Sequence, residues 1–553
     1  MTPDQLSHAI LAALTSLVES GRVHLPGGLP DSVTVERPKN KDHGDYATNV
    51  ALQLGKKASM NPRDFAQLLA EALTDDAGIA SAEIAGPGFL NIRVAAGAQG
   101  EIARQVLEGA DSYGHAASTG RSINMEFISA NPTGPLHLGH TRWAAVGDAM
   151  ARVLRAGGNQ VSNEFYINDR GSQMDKFGAS LMARAHGTEP PEGGYHGAYV
   201  VDLARQIIAD DPAILDLPEA EQSIAFREAG YARQLAEHQS QLEGFNTHFD
   251  VWFSERSLHA SDAVEQGMSR LREQGRLYEE AGATWMRTTD FGDDKDRVLT
   301  KENGELTYFA SDTAYYVDKR RRGFDRCIYL LGADHHGYVG RLSAMAACVG
   351  DTPGDHLVVL IGQLVKIMQD GEELKLSKRA GTIVTLAELA ELVGVDALRY
   401  TLIRYPADSP LTLDVAEMKR QSSDNPVYYV QYAHARLSSI VRNAADLGLT
   451  PDLATFDPAL LDGEREGDLL RSLAEFPRVV AQAAELTEPH RVARYLEETA
   501  SAFHKFYDVC RVLPQGDEDT TDVHRARLVL VAATRQVFAN GLDLLGVSAP
   551  DRM

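Results

Sequence analysis

His137-Leu138-Gly139-His140 places two imidazoles three residues apart, at the end of a loop broken by Pro132, Gly134 and Pro135. The apolar run 123–128 before this loop predicts a buried strand. A helical period is expected from near Thr141 onward, through Ala144, Ala145, Met150, Val153 and Leu154. Strand, loop and helix start together offer backbone N–H groups and the positive end of a helix dipole, which suit a phosphate. Imidazoles there can donate hydrogen bonds to a phosphate as its charge builds. Gly139 leaves room for a flat base or a ribose. The same residues also fit a helix cap beside a solvated side chain. No GxxxxGK[ST] lies here, so a nucleotide triphosphate would be held without a Walker loop.

A second group lies far downstream, in Leu374-Lys375-Leu376-Ser377-Lys378-Arg379-Ala380-Gly381-Thr382. It follows the apolar runs 357–361 and 364–368, with Asp370-Gly371 as a turn signal. Lys375 and Lys378 could close over a triphosphate and neutralise the charge that develops as pyrophosphate leaves. A solvated basic turn is the plainer reading of these lysines alone. With the paired histidines upstream, the two groups point to one nucleotide site.

These groups need a scaffold to bring them together. Residues 115–395 alternate strand and helix patterns, with strands expected at 123–128, 161–167, 327–331 and 358–361. Such a parallel sheet binds ligands at the carboxyl ends of its strands, where strand order reverses. His137, Asn168 and Asp334 each follow an expected strand and could converge there. A polar, mostly helical insertion is expected at about 180–300, with a turn-rich stretch at 187–197. Residues 1–110 read as a small α+β unit, with helices around Leu6–Leu17 and from Pro62, strand-like 33–35, and a strand pair hinged by Gly86-Pro87-Gly88. From about 410 to the end no strand pattern is visible, and successive helical periods predict a bundle. The expected class is α/β: a Rossmann-like parallel-sheet domain with a helical insertion, a small N-terminal α+β domain and a C-terminal all-α bundle. The boundaries fall at 1–110, 111–395 and 396–553.

The 553 residues carry 54 Lys+Arg against 78 Asp+Glu, a formal charge of −24, which opposes encounter with a polyanion. Nucleic-acid binding would then rest on local basic patches, of which Lys319-Arg320-Arg321-Arg322 is the densest. No apolar run is long enough to span a bilayer, and the start shows no secretory pattern. Cys327, Cys348 and Cys510 are too far apart for a disulfide framework or a cysteine zinc site. A reduced, cytoplasmic protein without a membrane anchor is expected.

His137-Leu-Gly-His140 resembles the HIGH motif, and Lys375-Leu-Ser-Lys-Arg379 the KMSKS motif, of class I aminoacyl-tRNA synthetases. The chain resembles the arginyl-tRNA synthetases along nearly its whole length. That resemblance rests on Gly44-Asp-Tyr-Ala-Thr-Asn-Val50, Ile84-Ala-Gly-Pro-Gly-Phe-Leu-Asn-Ile92, Glu126-Phe-Ile-Ser-Ala-Asn-Pro-Thr-Gly134 and Tyr166-Ile-Asn-Asp-Arg-Gly171. Gly332-Ala-Asp-His-His336, Asp396-Ala-Leu-Arg399, Gln431-Tyr-Ala-His-Ala-Arg436 and Ala549-Pro-Asp-Arg-Met553 complete it.

The resemblance implies a site residue by residue. ATP, with Mg²⁺ held mainly by its phosphates, would meet His137, Gly139, His140, Lys375 and Lys378, and its ribose Gly332 and Asp334. No protein metal ligand and no tightly bound cofactor are expected. Arginine would meet Glu126, Ser129, Asn131, Tyr308, Asp312 and His335, where relatives carry a glutamine near the last position. Tyr308 and Asp312, four apart, share one face if helical. Gly134 stands where many relatives carry a lysine, and Lys378 is present where they lack one. tRNA(Arg) would contact the N-terminal unit at its elbow. It would meet the bundle through Tyr428, Tyr432, Arg436 and Met553, although the periodicity of α-helical packing puts two of Tyr428, Tyr429 and Tyr432 in the core. A monomer is the family's usual state. The alternatives are another class I synthetase, a small-molecule adenylyltransferase, and a non-catalytic synthetase-like protein that binds RNA or a partner.

Overall fold

The computed structural model describes residues 1–373 and 384–553. The N-terminal unit begins with helix Pro3–Glu19, closed by a Thr2–Gln5 capping box and burying Leu6, Ile10, Leu14 and Leu17. These side chains pack with helix Pro62–Leu73 on a three-stranded antiparallel sheet, in the order Tyr46–Thr48, Phe89–Val94, Ile79–Ala85. The expected strand at 33–35 does not form. Chain pairing there is a single bridge, Glu36 to Ala47. Arg471 joins Asp45 at 2.6 Å and Arg478 donates to Val35 O at 2.8 Å, so this unit is fastened to the C-terminal helices.

The central sheet has five strands: β1 (Ser122–Glu126), β2 (Gln160–Ile167), β3 (Val251–Ser254), β4 (Arg326–Gly332) and β5 (Leu357–Gly362). All pair in parallel, in the order β5-β4-β1-β2-β3. Strand order therefore reverses between β1 and β4, and the crevice outside their carboxyl ends is the place for a ligand. Four of the strands coincide with the expected runs; β3, only four residues long, was not anticipated.

Helix α1 (Leu138–Ala156) returns from β1 across the sheet. In the insertion, α2 (Ala198–Asp210) and α3 (Glu219–Gly244) are long helices, as expected. Its later part is instead a three-stranded antiparallel sheet formed by Leu277–Glu280, Ala283–Met286 and Arg297–Thr300. Helix α4 (Tyr308–Arg321) leads into β4, and α5 (Val395–Ile403) leads out of the sheet domain.

After β5 the chain turns through β6 (Val365–Gln369) and β7 (Glu372–Glu373). Asp370 and Gly371 make their turn with positive φ, 52° and 82°. Strand β8 (Leu411–Asp414) lies parallel to β6, a strand in a region expected to have none. The bundle follows: α6 (Pro426–Asp446), α7 (Glu464–Leu486), α8 (His490–Val509) and α9 (Asp522–Leu544). Its core and that of the central sheet form one continuous apolar cluster, from Met125 and Ala149 to Leu473 and Phe538.

Candidate active site

Helix α1 starts three residues before the position read from periodicity, because His137 itself is its N-cap. The backbone N–H of Gly139 donates to His137 Nδ1 at 3.2 Å, and that of His137 donates to His140 Nδ1 at 3.2 Å. This is a capping box with imidazoles in place of the usual hydroxyl and carboxylate. The rings stack with centroids 3.8 Å apart. Each neutral ring accepts through Nδ1, so its proton sits on Nε2 as a donor. A side chain on the exposed Gly139 would press against the His137 ring at 3.2 Å.

Lys375 and Lys378 lie outside the described residues. The chain on their C-terminal side is anchored to the histidine turn: Thr385 bridges His137, and Leu386 N donates to Leu136 O at 2.9 Å. On the N-terminal side, β5 and β6 are held by the residues just after His140 and Thr141. Buried Arg142 donates to the carbonyls of Gln363 (2.7 Å), Pro406 and Ser409 (both 3.0 Å). Burial, with only Asp408 opposing it, lowers its pKa to about 10. Trp143 covers Gly362 so closely that a Cβ there would fall 1.2 Å from its ring. The described chain on both sides of residues 374–383 therefore meets the histidine turn at one edge of the crevice.

The loop from β1 carries the second cluster. Ile128 and Ser129 adopt positive φ, 71° and 45°. Ser129 Oγ donates to Glu126 Oε1 at 3.1 Å and accepts from Tyr166 N at 3.2 Å. The other oxygen of Glu126 takes a 2.6 Å bond from the fully buried Lys319. Asn131 bonds Gln173 at 2.7 Å.

Asp312 sits one turn along α4 from Tyr308, which is 74% exposed at the mouth. It accepts from Tyr338 OH at 2.5 Å. Burial, with Glu126 and Glu255 adding repulsion, pushes its carboxyl up to about 6, against the Tyr338 bond and Arg341, which lower it. Glu255, buried at the end of β3, is likewise raised by burial and steadied by Tyr166 and Arg170. Asp312, Glu126 and Glu255 thus lie close enough to repel one another, beside Tyr166 and Tyr338, with Lys319 committed to Glu126. Such a cluster favours an incoming planar cation that needs acceptors on its edge and aromatic carbon on its face.

Gly332 ends β4, and a Cβ there would fall 2.6 Å from Asp334 Oδ1. Asp334 and His335 are more than half exposed and pair at 3.5 Å. They occupy the turn whose last residue is Tyr338. Among the described residues no cluster of three His, Cys, Asp or Glu could hold a metal.

Glu255, Lys319, Tyr166 and Tyr338 were not anticipated as site residues. Tyr166 lay within a stretch singled out by resemblance; Glu255 had no such signal. The cations of the run 319–322 are all taken up by acids of the fold. Lys319 pairs with Glu126, Arg320 with Asp351 at 2.8 Å, and Arg322 with Glu164 at 2.7 and 2.8 Å. Arg321 is exposed and pairs with Asp318 at 3.0 Å.

On the bundle, the expected tyrosines are not core. Tyr432 is 39% exposed, and Tyr428 and Tyr429 are half-buried. Tyr428 and Tyr432 stack at 6.1 Å, and Arg436 lies 5.8 Å from the Tyr432 ring and 4.1 Å from that of Tyr507. The chain end runs along α6: Ser438 bonds Asp551 at 2.8 Å, and Met553 is exposed.

Three family models match the chain. One described as "Arginyl tRNA synthetase N terminal domain" matches residues 4–94. "tRNA synthetases class I (R), catalytic domain" matches 102–192 and 220–399, and "DALR anticodon binding domain" matches 430–553. The chain is 56% identical to the arginine–tRNA ligase of Kineococcus radiotolerans and 57% identical to that of Frankia alni, covering 100% of both partners in each case. The solved arginyl-tRNA synthetase of Thermus thermophilus, 22% identical, shares the fold with a TM-score of 0.75 over 100% of both chains. With catalytic and flanking domains all matched in order, the chain belongs to the arginyl-tRNA synthetases, class I aminoacyl-tRNA ligases.

Proposed function

We propose that this arginine–tRNA ligase joins ATP and arginine in the crevice between β1 and β4. The arginine carboxylate attacks the α-phosphorus of ATP, giving arginyl-adenylate and pyrophosphate. The 2′-hydroxyl of the terminal adenosine of tRNA(Arg) then attacks the adenylate carbonyl and releases AMP. The observation that carries this reading is the Thr385–His137 bridge, which brings the chain shortly after Lys375 and Lys378 in sequence to the paired imidazoles.

In this reading His137, His140 and the Gly139 backbone donate to the phosphates, and Lys375 and Lys378 balance the leaving pyrophosphate. Gly332 and Asp334 receive the ribose. Asp312 accepts from the guanidinium, with Glu255 adding field and Tyr308 closing the mouth. Glu126, tied to Lys319, together with Ser129, Asn131 and His335, orders the polar end of the substrate. Catalysis is positioning and charge stabilisation, with no covalent protein nucleophile. ATP enters as its Mg²⁺ complex, the ion carried by the phosphates.

The unit 1–110 and the bundle 396–553 hold the tRNA on either side of the catalytic region 111–395. Tyr428, Tyr432, Arg436 and Met553 lie on the anticodon side. The working form is a cytoplasmic monomer. Among the described residues no helix is long and apolar enough to cross a membrane. Arginine activation requires bound tRNA. ATP–pyrophosphate exchange with and without tRNA(Arg), over a panel of amino acids, tests the reading. Exchange with arginine only, and only with tRNA, supports it; equal exchange without tRNA removes that requirement, and exchange with another amino acid overturns the substrate.

A further inference from the structure

We propose that Tyr199 and His238, on two helices of the insertion, are positioning residues that set the loop leading to the His137 turn; this rests on the reading that the loop holds ATP. Tyr199, near the start of α2, donates its hydroxyl to Thr133 O at 2.8 Å. His238, on α3 and fully buried, lies with Nε2 2.8 Å from Gly134 O. A carbonyl only accepts, so Nε2 carries the proton. Nδ1 is buried without a partner among the described residues. Burial lowers the ring's pKa and keeps it neutral. Among the described residues this histidine has one hydrogen bond, and it is with the loop.

Two successive carbonyls, three and four residues before His137, are therefore held from outside the sheet domain. Burying a histidine for one such bond is unfavourable compared with an apolar side chain unless the bond does something else. The hydroxyl of Tyr199 also occupies the space beside Gly134, where an added Cβ would lie 3.1 Å away. Helix α3 braces the neighbouring β2 loop as well. Tyr231 donates to Asp169 at 3.3 Å, and Glu228 holds Arg256, whose Nε donates to Asp169 O at 2.8 Å. The insertion thus touches the loops that follow β1 and β2.

The test is steady-state charging by the full chain carrying Tyr199→Phe, His238→Ala or His238→Gln, with Tm measured alongside. Tyr199→Phe should lower kcat/KM for ATP roughly 3–10-fold and His238→Ala roughly 10–100-fold, per folded molecule. His238→Gln, whose amide can still donate to Gly134 O, should recover much of that loss, while KM for tRNA stays unchanged. His137→Ala run in parallel separates the two claims. If it leaves charging intact, the ATP-loop reading fails. If it abolishes charging while the Tyr199 and His238 variants match the parent, lose activity only in step with Tm, or gain nothing from glutamine, the positioning role is wrong.

Discussion

Asp148 of α1 and Arg399 of α5 form a fully buried ion pair, Oδ2 to Nη2 at 2.6 Å. Arg399 also donates to the carbonyls of Phe245, Asn246 and Leu545. One guanidinium therefore joins the helix of the histidine turn, the end of α3 and the end of α9. Removing one partner of a buried pair leaves an uncompensated charge. Arg399→Met should cost about 3–5 kcal/mol in denaturant unfolding. Asp148→Asn should cost less, because Arg399 keeps its carbonyls. Equal stability of Arg399→Met and parent would refute the role of this hub.

Asp312 gives a pH dependence with a definite sign. Its folded value of about 6 lies above the ordinary 3.8, so the folded protein holds that proton where the unfolded chain releases it. The stability this group contributes is full at acid pH and is lost as pH rises through about 6. In the proposed site arginine would meet the ionised form, so KM for arginine should climb as pH falls below about 6. Asp312→Asn should raise that KM roughly 10–100-fold and flatten its pH profile. A wild-type profile that stays level from about pH 5 to 8 would contradict the assignment.

Gly362 and Trp143 predict a packing defect. A methyl at 362 has no space beneath the indole, so Gly362→Ala should destabilise by about 3 kcal/mol or more. Adding Trp143→Leu should return part of that loss. Calorimetry on the two variants decides; an unaltered Tm for Gly362→Ala alone would mean the contact is not this tight.

Tyr432 and Arg436 predict a selective effect on RNA. Tyr432→Ala should weaken tRNA(Arg) binding by about 1–3 kcal/mol, the worth of one stacked base. KM for ATP and arginine should not move. Filter binding against salt concentration checks it, and unchanged affinity would assign the tyrosine pair to another role.

What could be read from the chain follows from range of interaction. The strand at 327–331 reads as a continuous apolar run, while those at 123–128 and 161–167 keep apolar ends around Asn124, Glu126, Asn163 and Glu164. The four residues of β3 and of β8 are too short to carry a period. His137 as N-cap was legible only as the plainer of two readings, because capping usually falls to Ser, Thr, Asp or Asn. Lys319 and Arg322 looked like surface charge because their partners, Glu126 and Glu164, are about 190 and 160 residues away in sequence. Tyr308 and Asp312 came from resemblance; that Glu255 and Tyr338 join them is visible only once the parallel sheet brings the carboxyl ends of β3 and β4 to the same side.

The bend at Ile128 and Ser129 has a thermodynamic consequence. Left-handed backbone at non-glycine residues costs about 1–3 kcal/mol each. Folding meets that cost once, through Glu126, Tyr166 and the packing around them, and turnover does not meet it again. Each arriving substrate pair finds the curve already drawn, so its binding energy is left for bringing carboxylate and phosphorus together.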